Sequence, residues 1–295
     1  MDERILHFNE NQLKKSGFGE AFTQELRTQM EQGIPFIQHT FQKQFDGDRL
    51  EATLHLKKSA ISDYYSLKKF DLQLQKEGLG NTIRHSFKIT DTNFGTSQVS
   101  DHHFKNEDRF TLQEAYNLLA GRSVYKNLIG PEGNKAHAWV KLNLKNESIN
   151  SDPENKLYQT TYGFDLEKVL SNYPIKEIKS ERTKLSLIQS LQRGTIKKVT
   201  FVGPRKQEDQ LYISPDISHG SLDVRDKHKQ KLSTEELVER KFISKEFAVS
   251  VKSRQHQNVE TKALQLQEPA RKLIPALQKT IKDSIQKEYP RHRIK

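Results

Sequence analysis

The sequence predicts an α+β fold: two modules, each a mostly antiparallel sheet with helices packed on it, followed by a basic, partly helical C-terminal tail. Three observations carry this expectation. Apolar residues alternate along several segments, as in half-buried strands. Elsewhere they recur at helical spacing, next to glycines placed to end a helix. Positive charge gathers beyond residue 230: residues 231–295 hold 15 basic and 8 acidic side chains, an excess of +7 that leaves +4 for the first 230.

Taken in order, the chain opens on MDERILHFNE, which lacks the apolar run of a signal peptide. Phe18, Phe22, Leu26 and Met30 predict a first helix over 18–30, stopped by Gly33, with a strand over 34–45. Asp46-Gly47-Asp48 reads as a hairpin turn. Leu50, Ala52, Leu54 and Leu56 then alternate on one face. From Tyr64 to Lys76 the apolar phase is odd at Tyr65 and Leu67, then even at Phe70, Leu72 and Leu74. The slip at Lys68-Lys69 predicts a β-bulge. Ile83, Phe87 and Ile89 supply a fourth strand, which completes an antiparallel meander over 1–93. A polar linker over 94–107 leads to the second module, 108–226.

That module opens with a helix in which Thr111 and Glu114 have capping-box spacing. Leu112, Ala115, Leu118 and Leu119 form its apolar face, and Gly121 ends it. Ala136, Ala138, Val140, Leu142 and Leu144 alternate along a strand, which leaves His137 and Trp139 on the other face. A loop over 146–155 and a short helix over 164–172 follow. A further helix carries Leu185, Ile188 and Leu191 and ends at Gly194. Strands near 196–202, 210–214 and 221–225 are expected to complete the sheet. Helix, glycine and strand thus recur three times, too unevenly spaced for a solenoid. The tail, 227–295, is expected to hold a short helix over 234–241, a mobile stretch over 250–261 and an amphipathic helix over 270–288.

Composition limits the chemistry. The 295 residues include no cysteine, which excludes a disulfide framework, a thiolate zinc site and a cysteine nucleophile. No stretch approaches 18 apolar residues, so no membrane helix is expected and the cytoplasm is the expected location. Asp101-His102-His103 matches a phosphoesterase tripeptide but lacks the acidic partners that two metals need. Gly17-Phe18-Gly19-Glu20 and Gly130 to Lys135 fit turns better than phosphate loops. His39, His55 and His85 fall in strands of one sheet and are candidate metal ligands, although three independent strand residues is the simpler reading. No cofactor or catalytic residue is expected.

The basic features point to an anionic partner, DNA or RNA. Arg193, Lys197 and Lys198 surround the third helix–strand corner. Lys272, Lys279, Lys282, Lys287, Arg291, Arg293 and Lys295 occupy the last helix and its tail, where they can neutralise phosphates, and Tyr289 can stack on a base. Ile274, Leu277, Ile281 and Ile285 form one side of that helix, which suits a protein partner equally well.

The stretches NQLKKSGFGEAFTQELRTQMEQG, FTLQEAYNLLAGRSVYKNL, PEGNKAHAWVKLNL, TTYGFDLEKVL and SLQRGTIKKVTF resemble an uncharacterised family of Bacteroidota proteins. The resemblance covers residues 9–226 and leaves out the tail. It implies a cytoplasmic bacterial accessory protein linked to mobile DNA, since related modules occur beside DNA-processing genes on conjugative elements. It assigns no catalytic residue. The expected function is therefore a non-enzymatic accessory or adaptor protein that touches nucleic acid through its basic C-terminal region. A protein-interaction module and a metal-dependent enzyme are the alternatives.

Overall fold

The N-terminal segment is a helix, α1 (Glu3–Lys15), capped by the Asp2 carboxylate, which accepts from the Arg4 amide at 2.9 Å. The computed structural model describes residues 2–78, 82–89, 105–106, 110–129, 135–142, 158–161 and 163–254. The apolar pattern does not announce α1, because a polar residue interrupts its buried face of Leu6, Asn9 and Leu13. The first helix expected over 18–30 is shorter, α2 (Gln24–Glu31). Phe18 and Phe22 belong instead to a tight connection with a 3-10 turn at Gly19–Ala21. The Thr23 hydroxyl accepts from the Leu26 amide at 3.3 Å and so fixes where α2 begins.

Four strands follow: β1 (Phe36–Phe45), β2 (Asp48–Lys58), β3 (Tyr65–Gln75) and β4 (Thr82–Lys88). They form the antiparallel meander the alternation predicts, in the order β1-β2-β3-β4. The register of β2 on β3 shifts opposite Lys68, so the bulge lies where the apolar phase slips. β4 covers β3 only from Lys69 onward. Before that point α1 takes its place. The Tyr65 amide donates to Asn9 Oδ1 at 3.0 Å, Gln12 Nε2 donates to the Tyr65 carbonyl at 2.8 Å, and the Leu67 amide donates to Gln12 Oε1 at 3.0 Å. Two helix side chains thus satisfy strand backbone that would otherwise be buried without partners.

After β5 (Lys105–Asn106), α3 (Leu112–Leu119) begins with the expected capping box at Thr111 and Glu114. Seven of its eight residues are buried, including Glu114 and Asn117. Its apolar residues join the core that α1, α2 and the first sheet enclose, around Leu13, Phe18, Leu54, Phe70 and Phe87. The helix that the sequence reading places in the second module thus packs on the first sheet as well as on β6 and β7 of the second. β6 (Val124–Ile129), β7 (Lys135–Leu142) and β8 (Tyr158–Thr161) form a second antiparallel sheet, in the order β5-β6-β7-β8. Ala138, Trp139 and Val140 are all buried, so β7 is covered on both faces. Trp139 joins a different core from Leu142.

That second core is built from α4 (Leu166–Leu170), α5 (Glu181–Gln192) and a third sheet of β9 (Lys197–Val202), β10 (Glu208–Asp216) and β11 (Ser221–Arg225). These last strands do not complete the second sheet, as expected from the sequence, but make a sheet of their own in the order β11-β10-β9. On α5, Leu187 and Leu191 are buried while Leu185 is half exposed. The buried stripe is rotated from the expected Leu185, Ile188 and Leu191 face. The glycines that end α2, α3 and α5 are Gly33, Gly121 and Gly194, with φ of +72°, +84° and +78°. After each, the next amide reaches back five residues: Ile34 to Gln29, Arg122 to Asn117, Thr195 to Ser190.

Residues 227–254 are not a free tail. α6 (Thr234–Glu239), with a capping box from Ser233 and Glu236, and a helix over 245–254 pack on the second core through Leu232, Leu237, Phe242, Ile243 and Ala248. Residues 250–254, expected to be mobile, are helical. No described helix is long and apolar enough to cross a membrane.

Candidate functional site

The structure separates the residues grouped by the sequence reading. Arg193 caps the C-terminus of α5 and is exposed; its carbonyl accepts from Asn117 Nδ2 at 2.6 Å. Lys197 and Lys198 open β9 on opposite faces. Lys197 has the parity of Val199 and Phe201, which are buried, whereas Lys198 is exposed on the opposite face. Lys198 pairs with Tyr212, and Tyr212 pairs with Arg225. Arg193 and the two lysines thus flank the α5–β9 corner, and a cation–tyrosine–cation row of Lys198, Tyr212 and Arg225 crosses the third sheet. Arg225 is tied to Asp223 at 2.8 Å, which balances part of its charge. Lys272, Ile274, Leu277, Lys279, Ile281, Lys282, Ile285, Lys287, Tyr289, Arg291, Arg293 and Lys295 lie outside the described residues, as do Asp101-His102-His103.

The three histidines do not converge. His39 and His85 are buried on the core side of the first sheet, and His55 is on its other face. Burial lowers the His39 pKa despite the Glu25 charge and the Ala21 backbone, which act the other way. Among the described residues no group of three His, Asp or Glu side chains is placed to hold a metal ion.

The outward face of the first sheet gathers more charge than either region. Strand parity sends the apolar residues inward and leaves a polar array outside. Gln38, His55, Lys69 and Lys88 form one cross-strand row. Thr40, Thr53, Asp71 and Ser86 form the next, Gln42, Glu51, Gln73 and Arg84 a third, and Gln44, Arg49, Gln75 and Thr82 a fourth. With Lys57 beyond the first row, five Lys or Arg residues stand with two carboxylates among the described residues of this face.

The partners of these charges matter more than their number. Arg49 Nη2 donates to Gln42 Oε1 at 2.8 Å, and Arg84 Nε donates to Gln73 Oε1 at 2.8 Å. An amide oxygen orients a guanidinium without neutralising it. Other surface cations meet carboxylates directly, as in Lys176–Glu208 at 2.7 Å and Lys43–Glu20 at 2.5 Å. Glu51 accepts from Gln42 Nε2 at 3.0 Å, so Gln42 links it to Arg49. Asp71 is engaged by His55 Nε2 at 2.5 Å, with Lys69 4.0 Å away. Burial pushes the Asp71 carboxyl up, but Ser86, His55 and Lys69 together hold it below the usual carboxylate range. Asp71 stands between His55 and Ser86. A nucleophilic relay needs the histidine in the middle, so this cluster fixes charge and does not activate a hydroxyl.

At the edge of this face Lys57 pairs with Phe36, its ammonium 5.4 Å from the ring centroid. They border an open cleft of about 650 Å³ that continues along residues 58–63. Comparison of the chain with family models, curated proteins and solved structures finds no match. Sequence reasoning missed Arg49, Arg84, Lys57 and Phe36 as a group. The available signal was the polar phase of the strands, complementary to the apolar phase that revealed them.

Proposed function

We propose that the protein is a non-enzymatic accessory protein that binds nucleic acid, with the outward face of the first sheet as a contact surface and the basic C-terminal region as a second. The observation that carries this reading is the pair Arg49 and Arg84, both exposed and both held by glutamine amides. A guanidinium that is oriented but not neutralised is prepared for a phosphate, which it meets with parallel hydrogen bonds. The +7 excess of residues 231–295 supplies further sequence-independent attraction. The resemblance of residues 9–226 to a family found beside DNA-processing genes supports a bacterial, cytoplasmic role linked to mobile DNA.

The test is a fluorescence-anisotropy titration of the full chain with single- and double-stranded DNA and with RNA at physiological salt. Binding tighter than ~0.1 mM, the weak end of non-specific association, is the expected result, with Arg49→Gln combined with Arg84→Gln weakening it several-fold. Weaker binding to every oligonucleotide overturns the reading.

A further inference from the structure

Four of the six large apolar side chains left exposed among the described residues are Phe8, Phe36, Ile61 and Tyr64; the others are Leu185 and Val249. Phe36 opens β1, and Ile61 and Tyr64 lie in the connection between β2 and β3. Phe8, on α1, packs edge-on against Tyr64 with ring centroids 4.8 Å apart. Phe36 is 68% exposed and Ile61 96%, far more than packing within the chain requires. Both line the cleft, together with Pro35, Lys57, Lys58 and Asp63. Lys58 and Asp63 answer each other at 2.8 Å. Lys57 meets the Phe36 ring and, among the described residues, no carboxylate.

We propose that this cleft receives an unstacked base of a single-stranded nucleic acid, with Phe36 as the stacking platform and Lys57 as the cation beside it. The inference rests on the nucleic-acid reading above and narrows it to single strands. Bases in a duplex are already stacked on one another, whereas an unpaired base offers its π-face to an aromatic ring whatever its sequence. The cleft is continuous with the charged face. Phe36 and Gln38 share one side of β1, Lys57 and His55 one side of β2, and the row from Gln38 to Lys88 crosses all four strands. A backbone held on that row lies one step along the strands from the ring. The apolar ring and an ammonium that meets no carboxylate among the described residues suit a base and its phosphate better than a wholly apolar partner.

The experiment compares the full-length chain with Phe36→Ala and Phe36→Trp, using an oligothymidine and a duplex of equal length. Phe36 is exposed and begins its strand, so these variants should fold. The expected result is at least ~10-fold weaker oligothymidine binding by Phe36→Ala, in line with the loss of one stacked base, with duplex binding unchanged and Phe36→Trp as tight as the parent. Equal binding of both oligonucleotides, unaffected by Phe36→Ala, overturns the inference and leaves the nucleic-acid reading in place. No binding by the parent chain defeats both. Dimerisation of the parent that Phe36→Ala abolishes, seen by sedimentation, assigns the cleft to a second copy and also overturns the inference.

Discussion

Replacing Lys126 with alanine is expected to lower the free energy of unfolding by about 3–5 kcal/mol, the usual effect of removing one partner of a buried ion pair. Lys126 lies on β6 and points at α3, where its ammonium is 2.8 Å from Glu114 Oε2. The two side chains are 5% and 8% exposed, so water cannot replace the missing partner. Glu114 also accepts from the Thr111 amide at 2.9 Å and hydroxyl at 3.1 Å, and the lysine stands 5.2 Å from the centre of the Phe110 ring. One carboxylate therefore caps α3 and ties it to β6. Without the lysine it stays buried with only the Thr111 groups to oppose its charge. Urea denaturation of Lys126→Ala, Glu114→Gln and the combination Lys126→Met with Glu114→Gln separates the effects. The combination should recover most of the loss, because it removes both charges of this pair together. A Lys126→Ala variant within about 1 kcal/mol of the parent would contradict the account, since an exposed pair contributes no more than that.

Replacing Gly194 with alanine is expected to cost about 2–5 kcal/mol. A positive φ accounts for roughly 1–2 kcal/mol of this and crowding for roughly 1–3 kcal/mol. At φ +78° an added Cβ would lie 2.9 Å from the Ser123 carbonyl oxygen, 3.0 Å from Asn117 Cβ and 3.2 Å from Val124 Cγ2. This is a joint between the cores, because Ser123 and Asn117 follow and belong to α3, and Gly194 ends α5. Asn117 is wholly buried and holds both sides: its Nδ2 donates to the Arg193 carbonyl at 2.6 Å, and its Oδ1 accepts from Arg122 Nη1 at 2.6 Å. Gly78 supplies the control, with φ +72° and nothing within 4 Å of an added Cβ. Thermal unfolding should show Gly78→Ala losing only the conformational part. Equal losses at the two positions would mean that the joint tolerates a methyl group.

Much of the fold was legible because it is written in apolar phase. The meander from Phe36 to Lys88, the bulge at Lys68, the capping box at Thr111 and the three helix-ending glycines each follow from a local pattern with a local cause. What escaped was tertiary. α1 was hidden because Asn9 and Gln12 serve the backbone of β3 and so break the stripe that marks a helix. Trp139 looked outward by parity, yet a second core covers that face of β7. The run from Leu232 to Ala248 read as a tail because it was grouped with the basic stretch that follows it, although its apolar residues fall where α6 and the helix over 245–254 close the second core. Lys197 and Lys198 looked like one feature because adjacency in sequence is opposition in a strand. The charged face of the first sheet was present as alternate residues. Its significance lay in which side chains hold Arg49 and Arg84, and only cross-strand register brings Gln42 and Gln73 to them.

The most direct measurement is the salt dependence of nucleic-acid affinity for the full chain and for Arg49→Gln combined with Arg84→Gln. Releasing two phosphates of a single strand should flatten the slope of log K against log salt by about 1.4, at roughly 0.7 for each. Parallel lines for the two proteins would contradict the assignment of those arginines to phosphate.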